Sequence, residues 1–241
     1  MLQAGLWGAF AGSSILMGAL IGLLTDLPKK ITGLIMSFGT GVLIGAASFE
    51  LLSEAVKEGG LIATSVGFIS GASIFTISEA IIAKRGGNER KRTKKRNTNH
   101  SGLSIFIGTI IDAIPESVII GVSLLEQGTV SYLMVIAVFI SNFPEGLSST
   151  VGLKKDGYSK KMLISMWLIV VFLASLSSLL GYSLLQNTST TILSFISAFA
   201  AGGIMAMVAS TMMPEAFEEG GAIVGLIASL GLLCSLFLSQ L

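Results

Sequence analysis

From Leu2 to Leu24 the chain carries no charged side chain, and apolar runs of this length recur almost to its end. About 20 apolar residues in a row suit a helix that crosses the hydrocarbon of a bilayer. Inside that layer a helix satisfies its own backbone hydrogen bonds, which a loop or an open strand cannot do. Eight spans are expected, at roughly 3–25, 31–54, 60–83, 102–125, 130–153, 160–185, 190–213 and 220–240. Charged residues make up 12% of the chain, against about 25% in a soluble protein. The expectation is an all-α polytopic membrane protein, with one transmembrane domain covering 1–241. The first run lacks a basic flank and a cleavage site, and is read as a span rather than a signal peptide. The single Cys234 excludes an internal disulfide and a multi-cysteine metal site.

Lys and Arg set the orientation, because they accumulate on the cytoplasmic side. With the N-terminus outside, the eight-span scheme puts Lys29 and Lys30, the basic loop 84–101, and Lys154, Lys155, Lys160 and Lys161 inside. That accounts for 14 of the 15 basic residues, leaving Lys57 outside. Both termini are therefore expected outside, at the cell membrane, and loop 84–101 in the cytoplasm. The loop is read as a topology signal, not as a nucleic-acid site.

The chain also repeats itself. TGVLIGAASFELLSEAVKEGG (40–60) aligns with AGGIMAMVASTMMPEAFEEGG (201–221) at an offset of 161, and the match includes Glu54 with Glu215 and Glu58 with Glu219. The two copies run in opposite directions through the expected topology. Spans 1–3 and 6–8 are thus expected to be inverted repeats around spans 4–5, a 3+2+3 arrangement. Inverted repeats recur in carriers, with the substrate site near the midplane.

Spans 4 and 5 each carry a proline beside a glutamate, in DAIPES (112–117) and SNFPEG (141–146). Asp112 and Glu116 are i, i+4, and Asn142 and Glu145 are i, i+3, so each pair shares a helical face. Pro115 and Pro144 cannot donate to the carbonyls of Ile111 and Ile140, which then need other partners at membrane depth. No Lys or Arg lies within either span core. Carboxylates so placed cost several kcal/mol or take up protons. A bound divalent cation resolves the conflict, with Asp112, Glu116, Asn142 and Glu145 as its ligands. Glu50, in span 2, is a further candidate as a gate or as a rim carboxylate.

These paired signatures resemble those of the ZIP family of divalent metal transporters, and the resemblance covers nearly the whole chain. It implies eight spans, outside termini, a long inside loop after span 3, and metal held between spans 4 and 5. It puts Asp112, Ala113 and Glu116 at the ligand positions of span 4, and Ser141, Asn142 and Glu145 at those of span 5. The chain departs from the family where Asp112 and Ser141 stand for histidines and Ala113 for asparagine. LASLSSLLGY (173–182) lacks the span-6 glutamate of many relatives, and the inside loop has only His100. The remaining oxygen donors suit magnesium, calcium or manganese more than they enforce zinc, although zinc accepts carboxylates.

The resulting expectation is a secondary transporter moving a divalent metal inward by alternating access. The metal is cargo, and no permanently bound cofactor is expected. The bilayer is the other partner, and a homodimer is left open. The alternative is a carrier of the same fold for an organic cation or protons. An enzyme is not expected: the spans contain no histidine and no Gly-x-Ser-x-Gly or His-Glu-x-x-His motif. Among the other acids, Glu215, Glu218 and Glu219 read either as a receiving cluster for a departing cation or as a solvated acidic turn. Met205, Met207, Met212 and Met213 read as packing.

Overall fold

The computed structural model describes residues 1–25, 27–82, 101–126 and 128–240, and every regular element among them is helical. The expected cytoplasmic loop 84–101 lies, but for Ser101, outside the described residues. The helices are α1 (Leu2–Leu24), α2 (Lys29–Gly45), α3 (Ser53–Ile82), α4 (Ser101–Glu126), α5 (Tyr132–Lys155), α6 (Lys160–Leu185), α7 (Thr190–Met207), α8 (Met213–Gly220) and α9 (Val224–Leu238). Stretches of π-helix join α2 to α3 (Ala46–Leu52) and α7 to α8 (Val208–Met212). Six helical runs are long and apolar enough to cross a membrane, and α9 is a shorter apolar helix.

Two of these runs are continuous where the sequence suggested breaks. Lys29–Ile81 forms one apolar run of 53 residues, which as a straight helix would reach about 80 Å. It does not stay straight, because Gly60 adopts φ 78° and ψ 166°, a corner open to a residue without Cβ. The turn expected at 55–59 thus falls at Gly60. Span 7, expected to stop at 213, continues in helical form to Gly220, and Gly221 closes it with φ 75°. The other turns are locally specified. Ser131 caps α5 by accepting from the Met134 amide at 2.9 Å, and Ser159 caps α6 by accepting from that of Met162 at 3.3 Å.

Helices pack mainly on partners distant in sequence. α1 lies against α5 and α6, α4 against α6, α2 against α8 and α9, and α3 against α7. Small residues make these approaches close. Gly41 faces the backbone of Ala228, and Gly202 faces that of Phe68. Hydroxyl groups add bonds across the helix pairs: Ser37 donates to the Val224 carbonyl at 2.6 Å and Ser178 to that of Ala4 at 2.8 Å. Contacts between the group α1, α4, α5, α6 and the group α2, α3, α7, α8, α9 are thinner, and run mostly through α2 with α5 and α4 with α7.

Two ends of the bundle can be told apart. Lys29, Lys155 and Glu219 lie within electrostatic reach of one another at one end. At the other, Trp7 meets Tyr132 edge to face at 5.8 Å, and Lys57, Ser131, Tyr132 and Leu238 line one cavity.

Candidate cation site between α4 and α5

The expected site residues are buried in a bundle whose outer faces are apolar. Asp112 is 5% exposed, Glu116 2%, Asn142 3%, Glu145 3% and Ser141 2%. Pro115 and Pro144 lie inside α4 and α5 without ending either helix. The i, i+4 spacing of Asp112 and Glu116 has the consequence expected of it: both line a single cavity of about 80 Å³. The opposite wall comes from α3 and α7, including Phe75, Phe199, Ile204 and Met207. Met207, read as packing in the sequence, is therefore also a neighbour of the acids.

Glu145 is tied to α4 from the other side. Thr109, one turn before Asp112, donates its hydroxyl to Glu145 Oε1 at 3.0 Å. A hydrogen bond to a carboxylate contributes about 1.5–3 kcal/mol and orients the oxygen that accepts it. The acids of the two proline motifs are thereby linked through one face of α4. Among the described residues, no three Asp, Glu, Cys or His side chains are grouped so as to hold one metal ion.

Other candidates sit elsewhere. Ala113 belongs to an apolar cluster with Ile15, Leu163 and Trp167, so its methyl packs helices together. Ser141 donates to the Val138 carbonyl of its own helix at 3.1 Å. It also lies where α2 meets α5, since a Cβ on Gly39 would come within 3.1 Å of Ser141 Cα. Glu50, half-buried in the first π-helical stretch, lines a separate cavity of about 680 Å³ with Glu54, Lys57, Ser131 and Tyr132. It does not line the cavity shared by Asp112 and Glu116. His100 lies outside the described residues.

Glu215, read in the sequence either as part of a receiving cluster or as part of a solvated acidic turn, is buried. Unlike Glu218, which is exposed, it is only 5% exposed, and it accepts a hydrogen bond from Ser148 of α5 at 2.8 Å. A signal was there to be read. Of the four prolines in the chain, three precede a glutamate: Pro115–Glu116, Pro144–Glu145 and Pro214–Glu215. All three glutamates are buried.

No family model matches the chain. A protein of Arabidopsis thaliana named "Putative zinc transporter" is 26% identical to it over 205 residues, or 84% of this chain. The match takes in 33% of that protein, so the chain spans about a third of its length. With its long apolar helices, the chain is an integral membrane protein.

Proposed function

We propose that the chain is a ZIP-like secondary transporter that carries a divalent metal cation into the cytoplasm by alternating access. The observation that carries this reading is the burial of Glu116 and Glu145 beside prolines on two adjacent helices, with Thr109 bridging α4 to Glu145. In apolar surroundings a carboxylate is either protonated or neutralised by a cation. Asp112, Glu116, Asn142 and Glu145 are the ligands, and they close on the ion from the α4 and α5 sides when it is bound.

The carrier reading draws support from the backbone. Gly60 and Gly221 have the same unusual φ and stand at the 161-residue offset of the repeat. The π-helical stretches follow the same offset. Exchanging α1 with α6, α2 with α7, α3 with α9 and α4 with α5 turns α2 with α9 into α7 with α3 and α1 with α5 into α6 with α4, and leaves α1 with α6 as it is. Counting Lys29–Ile81 as two spans and α9 as the last gives eight crossings in a 3+2+3 order.

Orientation follows from the same count. Lys29 and Lys155 share one end of the bundle, while Trp7 and Leu238 lie at the opposite end with Tyr132. With the lysine end cytoplasmic, Asn88 is inside. A cysteine at Asn88, in a Cys234→Ser background, is expected to resist an impermeant thiol reagent in intact cells and to react after permeabilisation. Ready labelling of intact cells reverses the orientation.

The function itself is tested in proteoliposomes of the purified protein. Saturable uptake of zinc, manganese or both is expected, with no ATP required. The apolar walls of the Asp112–Glu116 cavity, with Phe75, Phe199 and Ile204, favour one other substrate, a small organic cation. Uptake of an alkylammonium ion with no uptake of any divalent metal would establish that reading in place of the first.

A further inference from the structure

We propose that Glu215, held by Ser148, is a second binding station for the transported cation, a proposal that rests on the cation-carrier reading above. Glu215 sits on α8, in the helix group containing α2 and α9, whereas Ser148 belongs to α5, in the group containing α1 and α6. Their 2.8 Å hydrogen bond therefore crosses the thin seam between the groups.

The position relative to the first site is fixed by α5. Ser148 is three residues after Glu145 in one unbroken helix. Those residues share a face and are separated by about 4.5 Å along the axis. A cation leaving Glu145 along that face toward the Lys155 end of α5 next meets the carboxylate that Ser148 holds. Both carboxylates are prepared in the same way: each follows a proline, and each accepts a hydrogen bond from a hydroxyl of a neighbouring helix, Thr109 for Glu145 and Ser148 for Glu215.

Glu215 is itself held in the interior, 5% exposed, and a buried carboxylate that already accepts one hydroxyl is the kind of oxygen donor that a hard or borderline divalent ion uses. Pro214 lacks a backbone donor, and it follows the π-helical stretch where the ladder is already irregular. Glu218 and Glu219 lie nearer the end of α8, beyond Glu215, and lead outward to Lys29 and Lys155. Glu215 is thus the buried member of an acidic series that runs from the Glu145 level to the end of the bundle.

The test separates this station from the first site. Glu215→Gln keeps the side-chain volume and an oxygen that can accept from Ser148, and removes the charge. In proteoliposomes loaded with purified protein, this variant is expected to lower the maximal rate of zinc uptake by about tenfold while half-saturation stays within about threefold, because the ion is still captured but not passed on. Calorimetric titration with zinc alone should show one bound ion fewer per chain than the wild type. An unchanged rate, or a reduced rate with unchanged stoichiometry, overturns the proposal and leaves Glu215 a structural tie. If Glu215→Gln is not monodisperse, Ser148→Ala is titrated instead. It leaves the charge and removes its donor, so the second zinc should bind about threefold more weakly, and an unaltered second affinity overturns the proposal. A wild type that binds and carries no divalent ion rejects the carrier reading and the station together. A wild type that carries zinc, with Glu145→Gln inactive and Glu215→Gln normal, rejects the station alone.

Discussion

Glu145→Ala and Glu116→Ala are each expected to reduce cation uptake by about 100-fold or more, equivalent to about 2.8 kcal/mol of lost stabilisation of the bound ion. Each removes one buried negative charge from a proline-marked helix. No histidine is available on α4 or α5 to replace it. The folded protein should survive, since deleting a buried carboxylate also removes the cost of burying it. Glu145→Ala frees the Thr109 hydroxyl, which can turn back to a carbonyl of its own helix as Thr40 does toward Met36. Monodisperse protein in detergent with no uptake above empty vesicles is the expected outcome. Near-normal uptake at equal protein would place the site elsewhere.

A larger effect on folding is expected at Gly41. A Cβ there would fall on the backbone of Ala228, so any side chain forces α2 and α9 apart. Gly41→Leu should destabilise the bundle by about 3 kcal/mol or more, the upper range for overpacking. It would also break the bond from Ser37 to Val224, which spans the same pair of helices. Loss of monodisperse protein, or a markedly lower unfolding temperature in detergent, is the measurement. Gly225→Ala is the control, because nothing stands within 4 Å of its added Cβ. It should leave stability unchanged or raise it by up to about 1 kcal/mol through helix propensity. Equal stability of Gly41→Leu and wild type would mean that α2 and α9 do not pack closely.

The helices and their order were legible because a spanning helix writes its length and its apolar character into consecutive residues. The burial of Asp112, Glu116, Asn142 and Glu145 was legible for a related reason, since a polar residue deep in such a run has no route to water. The π-helical stretches at Ala46–Leu52 and Val208–Met212 were not, because no residue type marks where a ladder slips by one. Nor was the fate of Ala113, whose place beside Asp112 says nothing about which side of α4 faces Trp167. Glu215 was read with Glu218 and Glu219 either as a receiving cluster or as a solvated turn, and only the packing of α8 against the interior separates it from Glu218. Which helices touch was the least legible of all, because glycine-rich faces are interchangeable until their partners are known.

Packing between remote segments has a consequence for biogenesis. α1 reaches the membrane well before its partners α5 and α6 are synthesised, and α2 waits for α9, almost two hundred residues later. During that interval Gly8, Gly18 and Gly41 present backbone to lipid with nothing packed against it, and Ser37 lacks the carbonyl it will later bond. The nascent chain therefore passes through a stage in which its spans are inserted but unsorted. Assembly becomes a late, collective search among finished helices rather than a stepwise addition of neighbours.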